Sequence, residues 1–324
     1  MHSSKIDVPV LILFFNRPKQ LKLVFEQVKE ARPSKLYLFQ DGARVGREDD
    51  IENVKKCREI VEDIDWECEV HRNYQEKNNG CDPSEYLAQK WMFSTEEYGI
   101  VLEDDDVPSQ SFFPYCKELL EKYKDDQRIN MICGMNNFGD YSDKCPYDYF
   151  FSTAGSIWGW ASWKRVIDEW TDHSPFVDDE YAVGLFKKLY KNKMDTDGYI
   201  KLCKKRNESG IAYYESIMST NAKTQGRINI VPTKNMIANM GFMGESTHGP
   251  SSLSAVPKSI RKFFNMKTYD IDFPIKHPPY VMEDVRYANA LYNPSWFKRK
   301  TKTFLLRIEC LFRKLMSVLF TGEK

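Results

Sequence analysis

Residues 8–15 read VPVLILFF, an unbroken apolar run of strand length with no charge in it. A strand with one solvated face alternates apolar and polar residues, so this run suits a strand covered on both faces, as in a parallel sheet. It stops at Asn16-Arg17-Pro18, after which Leu21, Val24, Phe25 and Val28 recur at the spacing of one helix face. Residues 35–39 (KLYLF) form the next predicted strand, ending at Gln40-Asp41-Gly42. A helical stretch over about 51–64 and a short strand near 68–71 follow. The first seventy residues thus alternate β-α-β-α-β, which predicts a Rossmann-like α/β fold with a mainly parallel sheet flanked by crossover helices.

Working outward, Asn78-Asn79-Gly80 reads as a turn. Asp82-Pro83-Ser84-Glu85 then predicts a helix start, with Asp82 as N-cap, Pro83 in the first turn and Glu85 closing a capping box. Leu87, Ala88, Trp91 and Met92 give that helix its inner face. The next strand, 99–102, runs straight into Glu103-Asp104-Asp105-Asp106, and another helix begins after Pro108. Beyond residue 150 the alternation loosens. Residues 152–163 (STAGSIWGWASW) are rich in Gly and Trp, 176–223 read as mainly helical, 228–231 and 235–238 as extended, and 246–257 as a polar loop. The expected division is one domain over 1–290, in two halves (1–125 and 126–290). A basic amphipathic helix is expected over 291–324.

The composition is that of a globular protein: 324 residues, 42% hydrophobic, 47 basic against 47 acidic. A zero net charge gives no reason to expect nucleic acid as a partner. None of the eight cysteines pairs at C-x-x-C spacing, so reduced thiols and a cytoplasmic setting are expected. The N-terminus does not read as a signal peptide, and no window reaches the ~18 apolar residues of a membrane span. In the tail, Phe304, Leu305, Ile308, Leu311, Phe312, Leu315, Met316 and Leu319 share one face, and the basic residues lie mostly elsewhere. That pattern predicts a helix lying on anionic lipid, and so a protein held peripherally at the inner face of the cell membrane.

The strongest chemical signal is the acidic run 103–106. Four consecutive carboxylates at the carboxyl end of a buried strand repel one another unless something neutralises them. A hard divalent cation, Mn²⁺ or Mg²⁺, does so using one or two protein carboxylates plus ligand phosphate oxygens. Ligands of open α/β sheets bind at these strand ends. Arg72 and Asn79-Gly80 could close over a diphosphate. Trp158-Gly159-Trp160 offers aromatic faces for a sugar ring, with a glycine permitting close approach.

Residues 99–113 (GIVLEDDDVPSQSFF) resemble the segment bearing the D-x-D-type motif of type A (GT-A fold) glycosyltransferases. They are most similar to the medial-Golgi N-acetylglucosaminyltransferase and its bacterial relatives, in which E-D-D precedes an F-F pair. The resemblance extends, in order, to Arg17 after the first strand, to Gln40-Asp41-Gly42, to Trp158-Gly159-Trp160, and from Val231-Pro232 to Ser246-Thr247-His248-Gly249. It spans roughly residues 8–250.

The resemblance implies transfer of a sugar from a nucleotide-diphosphate sugar, in particular a UDP-sugar, to a glycan or lipid-linked acceptor. It further implies an inverting reaction in surface polysaccharide biosynthesis. On it, Asp105 is the metal ligand, Asp104 contacts the ribose or a metal-bound water, and Glu103 the sugar hydroxyls. Arg17, with Asn16, and Asp41, with Gly42, hold the nucleotide, and His248 closes on metal or phosphate. The base that deprotonates the acceptor is expected at Glu215, with Asp179 second. A competing reading, a sugar-phosphate nucleotidyltransferase, calls for a Gly-rich phosphate loop with a lysine after the first strand, where this chain has Asn16-Arg17-Pro18. A third is a carbohydrate-binding relative without activity.

Overall fold

A computed structural model describes residues 2–190, 194–242 and 261–292. His248, the polar loop at 246–257 and the tail beyond residue 292 lie outside the described residues. Among those described, no helix is long and apolar enough to cross a membrane.

The opening apolar run forms β1 (Val10–Phe14), buried at every position. Helix α1 (Pro18–Ala31) follows at once, with Pro18 in the first turn, where its missing N–H has no partner to lose. The chain continues through β2 (Lys35–Gln40), α2 (Glu48–Val61), β3 (Glu69–Tyr74), α3 (Cys81–Thr95) and β4 (Tyr98–Glu103). Then come β5 (Asp106–Pro108), α4 (Phe112–Lys122), β6 (Ile129–Cys133), β7 (Tyr149–Ser152), β8 (Trp160–Trp163) and α5 (Lys164–Ile167). A 3₁₀ turn (Pro175–Asp178), α6 (Glu180–Tyr190), α7 (Thr196–Ser209) and α8 (Tyr214–Thr224) lead to β9 (Ile228–Pro232) and β10 (Ile237–Asn239).

The main sheet has the order β3-β2-β1-β4-β8-β6-β9-β7. Its first four strands are parallel, as the alternation predicts. β8 runs antiparallel to both β4 and β6, and β7 antiparallel to β9, so the far half is mixed. The Gly- and Trp-rich stretch therefore holds the end of β7 and all of β8. Four-residue strands are too short for periodicity to reveal. One continuous core runs from Ile6 to Tyr287 across both expected halves, and a satellite of Phe176, Val177, Phe186, Ile200 and Cys203 lies under α6 and α7.

Two local readings are corrected. Helix α3 starts at Gly80, whose φ is 86°, with no side-chain cap, so Asp82 sits inside the first turn and Glu85 turns inward, buried. The sequence pattern places no strand between the acidic run and the helix after Pro108, yet the run itself begins one. Its last member opens β5, which pairs antiparallel with β10 through Asn239↔Asp106 and Ile237↔Pro108.

Register prepares the site. Leu13 of β1 lies beside Phe39 of β2 and Glu103 of β4, so the three strands end flush. The residues just beyond them share one rim. Gly159 enters β8 with φ 60°, and a Cβ there would meet Ile237 Cδ1 at 2.4 Å. Gly159→Ala should therefore lower unfolding stability by about 1–3 kcal/mol in a urea titration. An unchanged midpoint would contradict this packing.

Candidate functional site

The flush ends of β1, β2 and β4 and the first turns of α3 surround a cavity of about 250 Å³. Its walls are partly apolar, from Leu13, Phe14, Phe15 and Phe39, and partly charged, from Arg17, Arg44, Glu85, Glu103 and Asp104. Arg17 leaves β1 as the cap residue of α1 and reaches across to the end of β4. Its Nη1 donates to Asp105 Oδ2 at 2.8 Å and its Nη2 donates to Asp104 Oδ1. The Phe15 N–H donates to Asp104 Oδ2 at 3.3 Å. Burial works against the Arg17 charge, yet Asp104 and Asp105 outweigh it and hold the guanidinium above its ordinary pKa.

Asp105 is buried, and its Oδ1 has no hydrogen-bond partner among the described residues. The chain after β10 passes directly over it. Met240 N–H donates to the Asp105 carbonyl at 2.7 Å, and a Cβ on Gly241 would meet Asp105 Oδ2 at 2.6 Å. Among the described residues no three His, Cys, Asp or Glu side chains are grouped to hold a metal ion by themselves. Two adjacent carboxylates with an unsatisfied buried oxygen fit a cation that takes its remaining ligands from phosphate and water.

Asp106 has a different task. Its Oδ2 accepts from Gly159 N–H at 2.8 Å and its Oδ1 from Asn239 Nδ2 at 3.2 Å. It ties the tryptophan loop and β10 to the end of β4. Trp160 and Trp163 are core residues, 1% and 2% exposed, which removes Trp160 from acceptor contact. Trp158 is half-buried and packs on Phe264, with ring centroids 5.1 Å apart.

Asp41 lines the cavity, but its own chain claims its oxygens. Oδ1 accepts from the N–H groups of Gly42 and Asn79, at 3.0 and 2.8 Å. Oδ2 accepts from Gly80 N–H at 3.0 Å and from Asn78 Nδ2 at 2.9 Å. A carboxylate offers about four acceptor sites, so Asp41 organises the loop that leads into α3. The backbones of Gly42 and Lys77 touch so closely that a Cβ would fall 2.5 Å from Lys77 C. Asn16 donates to Asp50 Oδ1 at 2.6 Å, and Arg44 grips the same carboxylate through Nε and Nη2. Arg44 thus forms the polar lip of the cavity. Arg72 is paired with Glu62 and does not line it.

The two candidate bases separate. Asp179 Oδ1 accepts from the N–H groups of Tyr181 and Ala182 at the start of α6, a helix-capping task beside the satellite cluster. Glu215 is exposed in the first turn of α8, next to buried Tyr214. The residue that sequence reasoning missed is Glu85, 7% exposed and lining the cavity. Its signal was present, since Glu85 stands one turn before Ala88 and two before Met92 on the buried face of α3.

No family model matches the chain, and no curated protein matches it. Among solved structures it is similar to UDP-glucose pyrophosphorylase in its apo form and in complex with UDP-glucose. Each is 10% identical and the match covers 72% of this chain and 93% of that one, with TM-scores of 0.34 and 0.35. A likeness this slight leaves the chemistry to the residues themselves.

Those residues carry an electrostatic strain. Burial first, then the neighbouring carboxylates, pushes Glu85, Glu103 and Asp106 well above the usual carboxylate range; Asp105 is also raised, chiefly by burial. A carboxyl whose folded pKa exceeds its unfolded one holds its proton more tightly in the fold. Its stabilisation is full below the unfolded value and is lost as pH rises through the folded value. Glu85→Gln stays neutral, so it should be more stable than the parent, and the gap in urea midpoint should widen between about pH 5 and about pH 8. A gap that narrows over that range would contradict the placement of Glu85.

Proposed function

We propose that the protein is a nucleotide-sugar-dependent transferase, and specifically a glycosyltransferase. The observation that carries this is the Arg17–Asp104–Asp105 cluster at the flush ends of parallel strands, with an aromatic-walled cavity on one side and an unsatisfied Asp105 oxygen on the other. In this reading the nucleotide base enters between Phe15 and Phe39, with Arg44 at the lip. The diphosphate lies over Arg17, the guanidinium at the rim between the two ends of the cavity. Asp105, with Asp104 beside it, would hold the Mn²⁺ or Mg²⁺ that neutralises the departing diphosphate when bound. Glu215 accepts the proton of a glycan or lipid-linked acceptor hydroxyl as the new glycosidic bond forms. Trp158 offers its face to the acceptor. The tail at 291–324 places the enzyme at an anionic membrane surface.

Asp105→Ala should abolish Mn²⁺-dependent binding of UDP in calorimetry. Its melting temperature should barely change, because Arg17 keeps Asp104 and a buried, half-satisfied charge is removed. Undiminished binding would sink the assignment. Glu215→Gln should lower turnover by about 10²–10⁴-fold and leave donor affinity unchanged. Normal turnover in that variant would place the base elsewhere. The products separate this reading from nucleotidyl transfer. Incubated with a UDP-hexose, Mn²⁺ and pyrophosphate, a glycosyltransferase releases UDP, whereas a nucleotidyltransferase forms UTP and hexose 1-phosphate.

A further inference from the structure

The inner end of the cavity, between the end of β4 and the first turns of α3, is lined by Ser84, Glu85 and Glu103. Its hydrogen bonding is one-sided. Among the described residues no side chain donates to the Glu103 carboxylate. Glu85 receives a single amide, from Gln89 Nε2 to Oε2 at 3.1 Å. The Ser84 hydroxyl, on a residue 7% exposed, has no partner among the described residues. The two guanidinium groups of the cavity are engaged elsewhere, Arg17 on Asp104 and Asp105, and Arg44 on Asp50. A carboxylate only accepts, and a protonated carboxyl adds one O–H donor to its remaining acceptor capacity, so acceptors are in surplus here whether or not these acids keep a proton, and buried polar groups without partners are costly. This end of the cavity is therefore built for a ligand rich in hydrogen-bond donors and carrying no negative charge.

Its place in the sheet separates it from the nucleotide. β2, β1 and β4 are consecutive neighbours, so the Phe39–Arg44 rim and the Glu103 rim stand two strand spacings apart, about 10 Å. Arg17 lies between them.

We propose that Ser84, Glu85 and Glu103 form the pocket for the donor sugar, and that it selects a neutral hexose over a uronic acid. Hexose hydroxyls supply the missing donors, whereas a uronate would bring another negative charge among buried carboxylates. The proposal rests on the nucleotide-sugar reading. The resemblance gave Glu103 a sugar contact; Glu85, Ser84 and the charge selectivity come from the cavity itself.

Calorimetry in Mn²⁺ tests it. Wild type and Glu85→Gln are titrated with UDP, UDP-glucose, UDP-galactose and UDP-glucuronate, and with GDP, dTDP and their hexose conjugates in parallel. With several hydroxyls bonded there, at least one hexose conjugate should bind wild type roughly tenfold or more tighter than its parent diphosphate. UDP-glucuronate should gain nothing over UDP. In Glu85→Gln the hexose increment should shrink to within about twofold of the diphosphate, and the penalty on glucuronate should ease. The affinity for the diphosphate itself should stay the same, which shows that the variant is folded. A hexose increment equal in both proteins, or a wild type that prefers the glucuronate, overturns the sugar pocket alone. If none of the diphosphates binds either protein, the nucleotide-sugar reading falls, and the pocket with it.

Discussion

Arg17 bridges Asp104 and Asp105 from the first residue past β1's turn, and the rest of the site is arranged around that contact. It depends on register: β1 and β4 must end level for a guanidinium leaving one to reach the carboxylates leaving the other. Removing Arg17 would leave two buried carboxylates without a cation, and breaking a buried pair in that way typically costs about 3–5 kcal/mol. Arg17 therefore acts first as a structural counter-ion. It can serve a diphosphate only because the carboxylates it releases would then meet another cation.

The neighbouring devices follow from the same constraint. Asp106 faces away from Arg17 and joins Gly159 and Asn239, so one acid of the run is structural while two form the ion pair. Gly241 lets the chain after β10 lie directly on Asp105, where any side chain would push the carboxylate aside. Asp41 spends its oxygens on the loop before α3, which sets the helix start at Gly80 and aims Ser84 and Glu85 into the cavity. Folding alone does not require so many buried acids in one place. A fold that tolerates them departs from local consistency where such departures mark function.

Much of this was legible in the sequence. The parallel half of the sheet follows from apolar runs separated by helix-period segments, and the 103–106 cluster stands out by charge at a strand end. The far half was hidden because β7 and β8 are four residues each and enter antiparallel, so no crossover helix announces them. Glu85 was misread for a specific reason. Asp-Pro-Ser-Glu has the spacing of a capping box, but Asp41 already holds the Gly80 N–H and moves the helix start two residues earlier than Asp82 suggested. The tasks of Asp41, Asp106 and Asp179 are likewise set by partners far away in the chain or by backbone amides that no pattern of side chains displays. Aromatic residues beside glycine suit both a binding face and a core corner, so only burial separates Trp160, in the core, from half-buried Trp158.

Asp104 and Asp105 are proposed to bind a divalent cation together with a nucleotide diphosphate, and not before it, since Arg17 covers them and, among the described residues, no third protein ligand stands by. Electron paramagnetic resonance of free Mn²⁺ measures this directly. The account predicts that the protein alone leaves the free Mn²⁺ signal nearly intact at micromolar concentrations. With UDP, GDP or dTDP present, one of the three should bring the signal down to a one-to-one complex, beyond what that nucleotide achieves without protein. Loss of the signal without nucleotide, or no ternary complex with any of the three, would contradict it.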